Sequence, residues 1–134
     1  MVRNILAVIA GIIAGSVVNG SIVWISGFVV PPTAGADMTT VEGINAAMSS
    51  MGPANFIFPF VAHATGTFVG ALVASLIAVS HRLTFSIVIG ILFFLGGAYM
   101  VYAISAPLWF ESLDLIFAYI PMAWLGWKIA GGNR

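Results

Sequence analysis

Five polar residues set within otherwise apolar stretches carry most of the chemistry open to this chain: Asn19, His63, Tyr99, Glu111 and Asp114. An imidazole changes charge near neutral pH, so a histidine beside a carboxylate can hold or pass a proton. A carboxylate deep in hydrocarbon costs roughly 2 to 3 kcal/mol unless it is paired or hydrated. Asp114 must therefore face other helices, and His63 is the candidate partner, with Asn19 and Tyr99 as hydrogen-bonding neighbours. Glu111 lies one turn from Asp114 on the same helix face, because residues three apart are neighbours on a helix. Such a set suits a site that binds or translocates a small ion or polar solute. The competing reading is a structural or accessory subunit, whose polar groups only hold helices in register.

Other chemistries find less support. His63 and His81 are about 27 Å apart along one helix, too far to share a haem. His81, beside Arg82, suits the headgroup layer. A metal bound by His63, Glu111 and Asp114 has no diagnostic spacing behind it, and the metal question stays open. Ser16, Ser21 and Ser26 read as helix-packing serines rather than nucleophiles, so an enzyme acting on lipid is a third reading with no recognisable catalytic set behind it, and no cofactor is expected. The absence of cysteine excludes disulfides and thiolate sites.

The elements that must position these groups are membrane spans. Of 134 residues, 61% are hydrophobic and 6% charged, against about 25% charged in a soluble domain. Net charge is zero, which argues against a nucleic-acid partner and leaves the lipid bilayer as the main one. About 20 apolar residues cross a hydrocarbon core, and four segments qualify: 5–30, 56–79, 83–104 and 108–129. Unpaired backbone amides are costly in lipid, so each must be a helix, and the fold class is all-α. The chain is expected to form one four-helix transmembrane domain over 1–134, its first span retained rather than cleaved as a signal peptide.

Basic residues in short loops stay cytoplasmic. Arg3, Arg82, Lys128 and Arg134 all fall on one side of four crossings, and Asp37, Glu42, Glu111 and Asp114 toward the other. Both termini are thus expected in the cytoplasm, with the protein in the inner or plasma membrane. Counted from these basic residues, the polar groups form one layer: Asn19, His63, Tyr99 and Asp114 lie about 21 to 28 Å above them.

The punctuation is informative. Asn55 can cap the second span, and Pro59 then ends its first turn. Pro107 opens the fourth span, and Pro121 inside it should kink the helix by removing the bond to the Phe117 carbonyl. The outer loop 31–55 is too long for a simple connection. Thr39 with Glu42 reads as a capping box, followed by a stripe of Val41, Ile44, Met48 and Met51. This predicts a short amphipathic helix, resting on the outer surface or serving as a lid over a site between the spans.

In lipid, small residues four apart mark close helix contacts. Ala7, Gly11 and Gly15 form such a row on the first span, and Ala62, Gly66, Gly70, Ala74 and Ala78 on the second. These two spans are expected to cross closely. Gly90, Gly96 and Gly97 give the third span a weaker row. The abundance of such faces also favours a homo-oligomer.

The segments Phe58-Pro59-Phe60-Val61-Ala62-His63-Ala64-Thr65-Gly66-Thr67 and Leu113-Asp114-Leu115-Ile116-Phe117-Ala118-Tyr119-Ile120-Pro121-Met122 resemble small four-span bacterial membrane proteins of uncharacterised function. That resemblance implies no activity. Small multidrug resistance transporters and fluoride channels are similar in size. The first span lacks the acidic residue of the former, and no motif of the latter is present.

Overall fold

A computed structural model describes residues 2–32 and 35–132. Arg134, one of the basic residues used for orientation, lies outside the described residues. The described chain is all-helical: α1 (Val2–Val29), α2 (Val41–Ala47), α3 (Ala54–Ile77), α4 (Arg82–Ala103), α5 (Leu108–Phe117) and α6 (Ile120–Ile129). One 3₁₀ turn, Met48–Ser50, extends α2. Three of these helices, with α5 and α6 taken together as a fourth, are long and apolar enough to cross a membrane. Their outer faces present large apolar side chains such as Leu6, Val17 and Leu95, as a hydrocarbon solvent requires.

Backbone-to-backbone packing joins α1 to α3. A methyl group added at Gly11 would stand 2.6 Å from the Gly70 carbonyl oxygen, and one at Gly15 the same distance from that of Gly66. Ala7, Ala62 and Ala74 are fully buried along the same seam. Lipid supplies no hydrophobic drive between helices, so this close approach and its dispersion contacts hold the pair together. Helix α6 closes on the other side, where Gly126 lies against the Phe68 carbonyl and Gly90 of α4 against Ala123. Buried Ser86 donates to the Ala123 carbonyl at 2.7 Å, so this polar side chain in the core has a partner.

One end of the bundle is tied by its basic residues. The Arg3 guanidinium donates to the Ile77 carbonyl, and the Asn4 side chain bonds both Ser80 and the Val79 amide. Arg82 donates to the Ala78 carbonyl, and His81 takes the left-handed conformation, φ 51°, that turns the chain into α4. Lys128 lies over the Trp124 ring at 4.6 Å.

Three local expectations need correction. Asn55 does not cap α3, which already begins at Ala54; its side-chain oxygen accepts from the Gly52 amide instead. Pro59 is therefore the sixth residue of the helix rather than the end of its first turn. Thr39 is not the cap of α2. Its amide and hydroxyl both bind Asp37, and Thr40 becomes the N-cap, accepting from the Gly43 amide at 3.1 Å. With Gly43 at the third helical position, Glu42 has no capping-box role. The fourth span does deviate near Pro121, but as a full break: α5 ends at Phe117, and Pro121 sits in the first turn of α6, where a missing amide hydrogen costs little.

Candidate functional site

His63 and Asp114 meet. His63 projects from the middle of α3, and Asp114 from the second turn of α5. The imidazole Nδ1 stands 2.9 Å from one Asp114 carboxylate oxygen and 3.0 Å from the other. Asp114 is only 3% exposed, so its charge has little access to water and depends on these partners. The third member is Tyr119, whose hydroxyl donates to Asp114 Oδ2 at 2.7 Å and lies 3.1 Å from His63 Nδ1. Its ring is nearly parallel to the imidazole, with centroids 5.9 Å apart.

Tyr119 was not among the residues singled out by spacing, and the reason is geometric. On an unbroken helix it would lie five residues, or about 140°, from Asp114 and face elsewhere. The break after Phe117 puts Tyr119 at φ −117° and ψ −80°, outside helical geometry, and swings its ring back toward the carboxylate. Gly97 of α4 makes room for it, since any side chain there would overlap the Tyr119 hydroxyl. Phe94 meets the ring edge-on.

The remaining candidates are placed differently. Tyr99 is 64% exposed and takes no part in the cluster. Two residues along a helix amount to about 200°, so a side that presents Gly97 inward must present Tyr99 outward. Asn19 is half-buried in the α1–α3 seam, its Cβ against Gly66, and makes no bond to His63 or Asp114. Glu111 is half-buried and lines the same cavity as His63 and Asp114.

That cavity occupies about 340 Å³, within the range of about 300 to 1,000 Å³ usual for small-molecule sites. His63, Asp114 and Glu111 furnish its ionisable part, and Ser26 and Asn55 are further polar side chains on its lining. Its walls are apolar: Val23 and Gly27 from α1, Phe56 from α3, Met100 and Val101 from α4, Phe110 from α5. Ile44, Met48 and Met51 of the α2 segment line it on the side away from the basic residues. The α2 segment is held there by Asn45, whose amide nitrogen donates to the Ala103 carbonyl at 3.0 Å while its oxygen accepts from the Ser105 amide at 2.8 Å. One side chain thus satisfies two backbone groups freed where α4 ends. Upstream, Asp37 gathers the Thr39 hydroxyl and amide, and these bonds hold its carboxyl below its ordinary value of 3.8.

In chemical terms, the cluster is a carboxylate with two donors. When Asp114 is ionised, Nδ1–H and the Tyr119 hydroxyl both donate to it. Every His63 contact in the cluster uses Nδ1, which leaves Nε2 to exchange a proton or engage a ligand. Protonation of Nε2 would turn the pair from a net negative charge into a neutral one. Among the described residues, no group of three or more histidine, aspartate or glutamate side chains is arranged to hold a metal ion. Compared with models of protein families, with curated proteins and with solved structures, the chain matches none of them.

Proposed function

We propose that this is a multi-pass membrane protein that binds a small ion or polar-headed solute at the His63–Asp114–Tyr119 cluster and passes it across the bilayer, with the cavity opening outward beneath α2. One observation carries the reading: a carboxylate 3% exposed sits on a cavity large enough for a ligand, beside a histidine with a free ring nitrogen. A deep carboxylate is expensive, and in membrane spans such groups mark ion and proton pathways. The outward direction rests on Arg3, Arg82 and Lys128 gathering at the opposite end.

The proton is the simplest probe. Proteoliposomes with a trapped pH dye, driven by a potassium diffusion potential, should show a proton flux above protein-free vesicles that Asp114→Asn removes. No excess flux, or an equal flux in the variant, would eliminate translocation. A second reading, a structural or accessory subunit, draws on the completeness of the cluster, in which Asp114 already has two donors. It expects Asp114→Asn to lower thermal stability with no change in any flux, and a partner protein to copurify.

A further inference from the structure

The lining of the cavity narrows the chemistry of its occupant. Resting on the reading of that cavity as a binding site, we propose that the ligand is a small lipophilic ammonium. Its cationic head would lie against Glu111 and Asp114, and its apolar body among α1, α2 and α4.

Charge is the first argument. Two carboxylates line the cavity and no lysine or arginine does. Arg3 and Arg82 are bonded to carbonyls at the far end of the bundle. A cleft with one sign of charge and low-dielectric walls concentrates ions of the opposite sign. The Asp114 oxygens are already engaged, whereas the Glu111 carboxylate takes no hydrogen bond from any described residue. Glu111 is thus the group with capacity left for a cation.

The second argument is the lack of donors for anything else. The Ser26 hydroxyl in the wall is spent on the Val23 carbonyl at 2.6 Å, which leaves the Asn55 amide nitrogen as the one other side-chain donor on the lining besides the His63 ring. An anionic head would find few donors and two like charges. A quaternary ammonium needs no hydrogen bond at all. Instead it uses aromatic faces, and Phe56 and Phe110, with centroids 4.9 Å apart, both border the cavity.

Size and plasticity complete the case. Met38, Met48, Met51 and Met100 form much of the wall, and these flexible, polarisable side chains adapt to varied apolar bodies. At about 340 Å³ the space is near the lower limit for ligand sites, which suits a short-chain amphiphile rather than a two-chain lipid.

The test uses the full chain in lipid nanodiscs with octyltrimethylammonium, octanoate and 1-octanol as probes, and protein-free nanodiscs as the blank. Binding is read by calorimetry and by fluorescence of the tryptophans, of which Trp109 packs edge-on against Phe56. Saturable binding of octyltrimethylammonium is expected, roughly tenfold tighter than that of either other probe. Glu111→Gln should weaken it several-fold while leaving the His63–Asp114–Tyr119 bonds intact. Gly27→Leu should abolish it: Gly27 lines the cavity and an added Cβ there meets nothing within 4 Å, so the larger side chain takes the ligand's space without disturbing the backbone. Equal or tighter binding of octanoate or octanol, blocked by Gly27→Leu, would overturn the cationic assignment and leave the cavity a site. Binding of none of the probes would overturn the ammonium assignment, and the proton-flux measurement would then decide separately whether the cluster is a site at all.

Discussion

The two ends of this bundle solve the problem of packing helices in lipid in opposite ways. Toward the basic end, the helices touch through glycine and alanine, polar groups are few, and most of their hydrogen bonds go to the backbone of a neighbour. Toward the acidic end the helices separate around a cavity, and the polar groups bond one another. The first arrangement yields contact area where lipid offers no hydrophobic drive. The second forgoes that contact and buries a carboxylate, which a scaffold alone does not need. A cavity of about 340 Å³ beside a buried Asp114 forgoes helix contact there, a loss that the proposed ligand would offset.

The contrast predicts where substitution hurts most. Gly15→Leu or Gly70→Val should be the most damaging, because the added carbon meets a backbone carbonyl at 2.6 to 2.7 Å that no rotamer can relieve. The expected loss is about 3 kcal/mol, read as thermal unfolding in detergent. Gly20→Ala and Gly96→Ala, with nothing within 4 Å of the new carbon, should be silent in the same assay. At the other end, Asp114→Leu leaves His63 Nδ1 and the Tyr119 hydroxyl without their shared acceptor and should cost about 1 to 3 kcal/mol. If Asp114→Leu were more damaging than Gly70→Val, the division between scaffold and site would fail.

Tyr119→Phe removes a single donor to a carboxylate and should cost about 1.5 kcal/mol. Gly97→Ala should behave similarly by a different route, by pushing the phenol off Asp114. Near-additivity of these two substitutions in a double variant would show that Gly97 does not act through Tyr119.

Much of this division was legible in the residues. Four apolar runs, separated by basic turns on one side and an acid-bearing loop on the other, leave little choice of architecture in a solvent that cannot hydrogen-bond. The glycine and alanine rows on α1 and α3 lie against each other, since only small residues permit such an approach. His63 and Asp114 share a height and have complementary chemistry. The helix break was only half legible: Pro121 announces a disturbance, but whether the helix bends or stops depends on what the freed residues can pack against. Tyr119 follows from that break and from the space at Gly97, a relation between helices that no spacing within one helix reveals. Tyr99 shows the converse, because height along a helix says nothing about the side it faces. The cap of α2 was misplaced by one residue because Asp37, which captures Thr39, competes for the same hydroxyl.

Smaller effects test the lid. Asn45→Ala should leave global stability within about 1 kcal/mol while accelerating hydrogen exchange in residues 41–50, because one side chain holds that segment to the end of α4. Asp37→Asn should loosen the start of α2 still less, and with a characteristic pH dependence. The carboxyl is held low in the folded chain, so its contribution is present above its ordinary value of 3.8 and is lost as pH falls through the lower folded value. The variant and the parent should therefore converge in α2 exchange rates at strongly acid pH.

The central claim, that the acidic end encloses a site open to the outside, is tested most directly by thiol labelling, for which a chain without cysteine is an ideal background. Pro59 lines the cavity one turn from His63, while Val61, two residues further along α3, is 41% exposed on the face turned to lipid. Pro59→Cys in oriented membranes should react with an impermeant trimethylammonium thiosulfonate added from the outer side, and faster than with its sulfonate counterpart. Val61→Cys should react with neither. Failure of Pro59→Cys to label, or labelling only from the cytoplasmic side, would contradict the account.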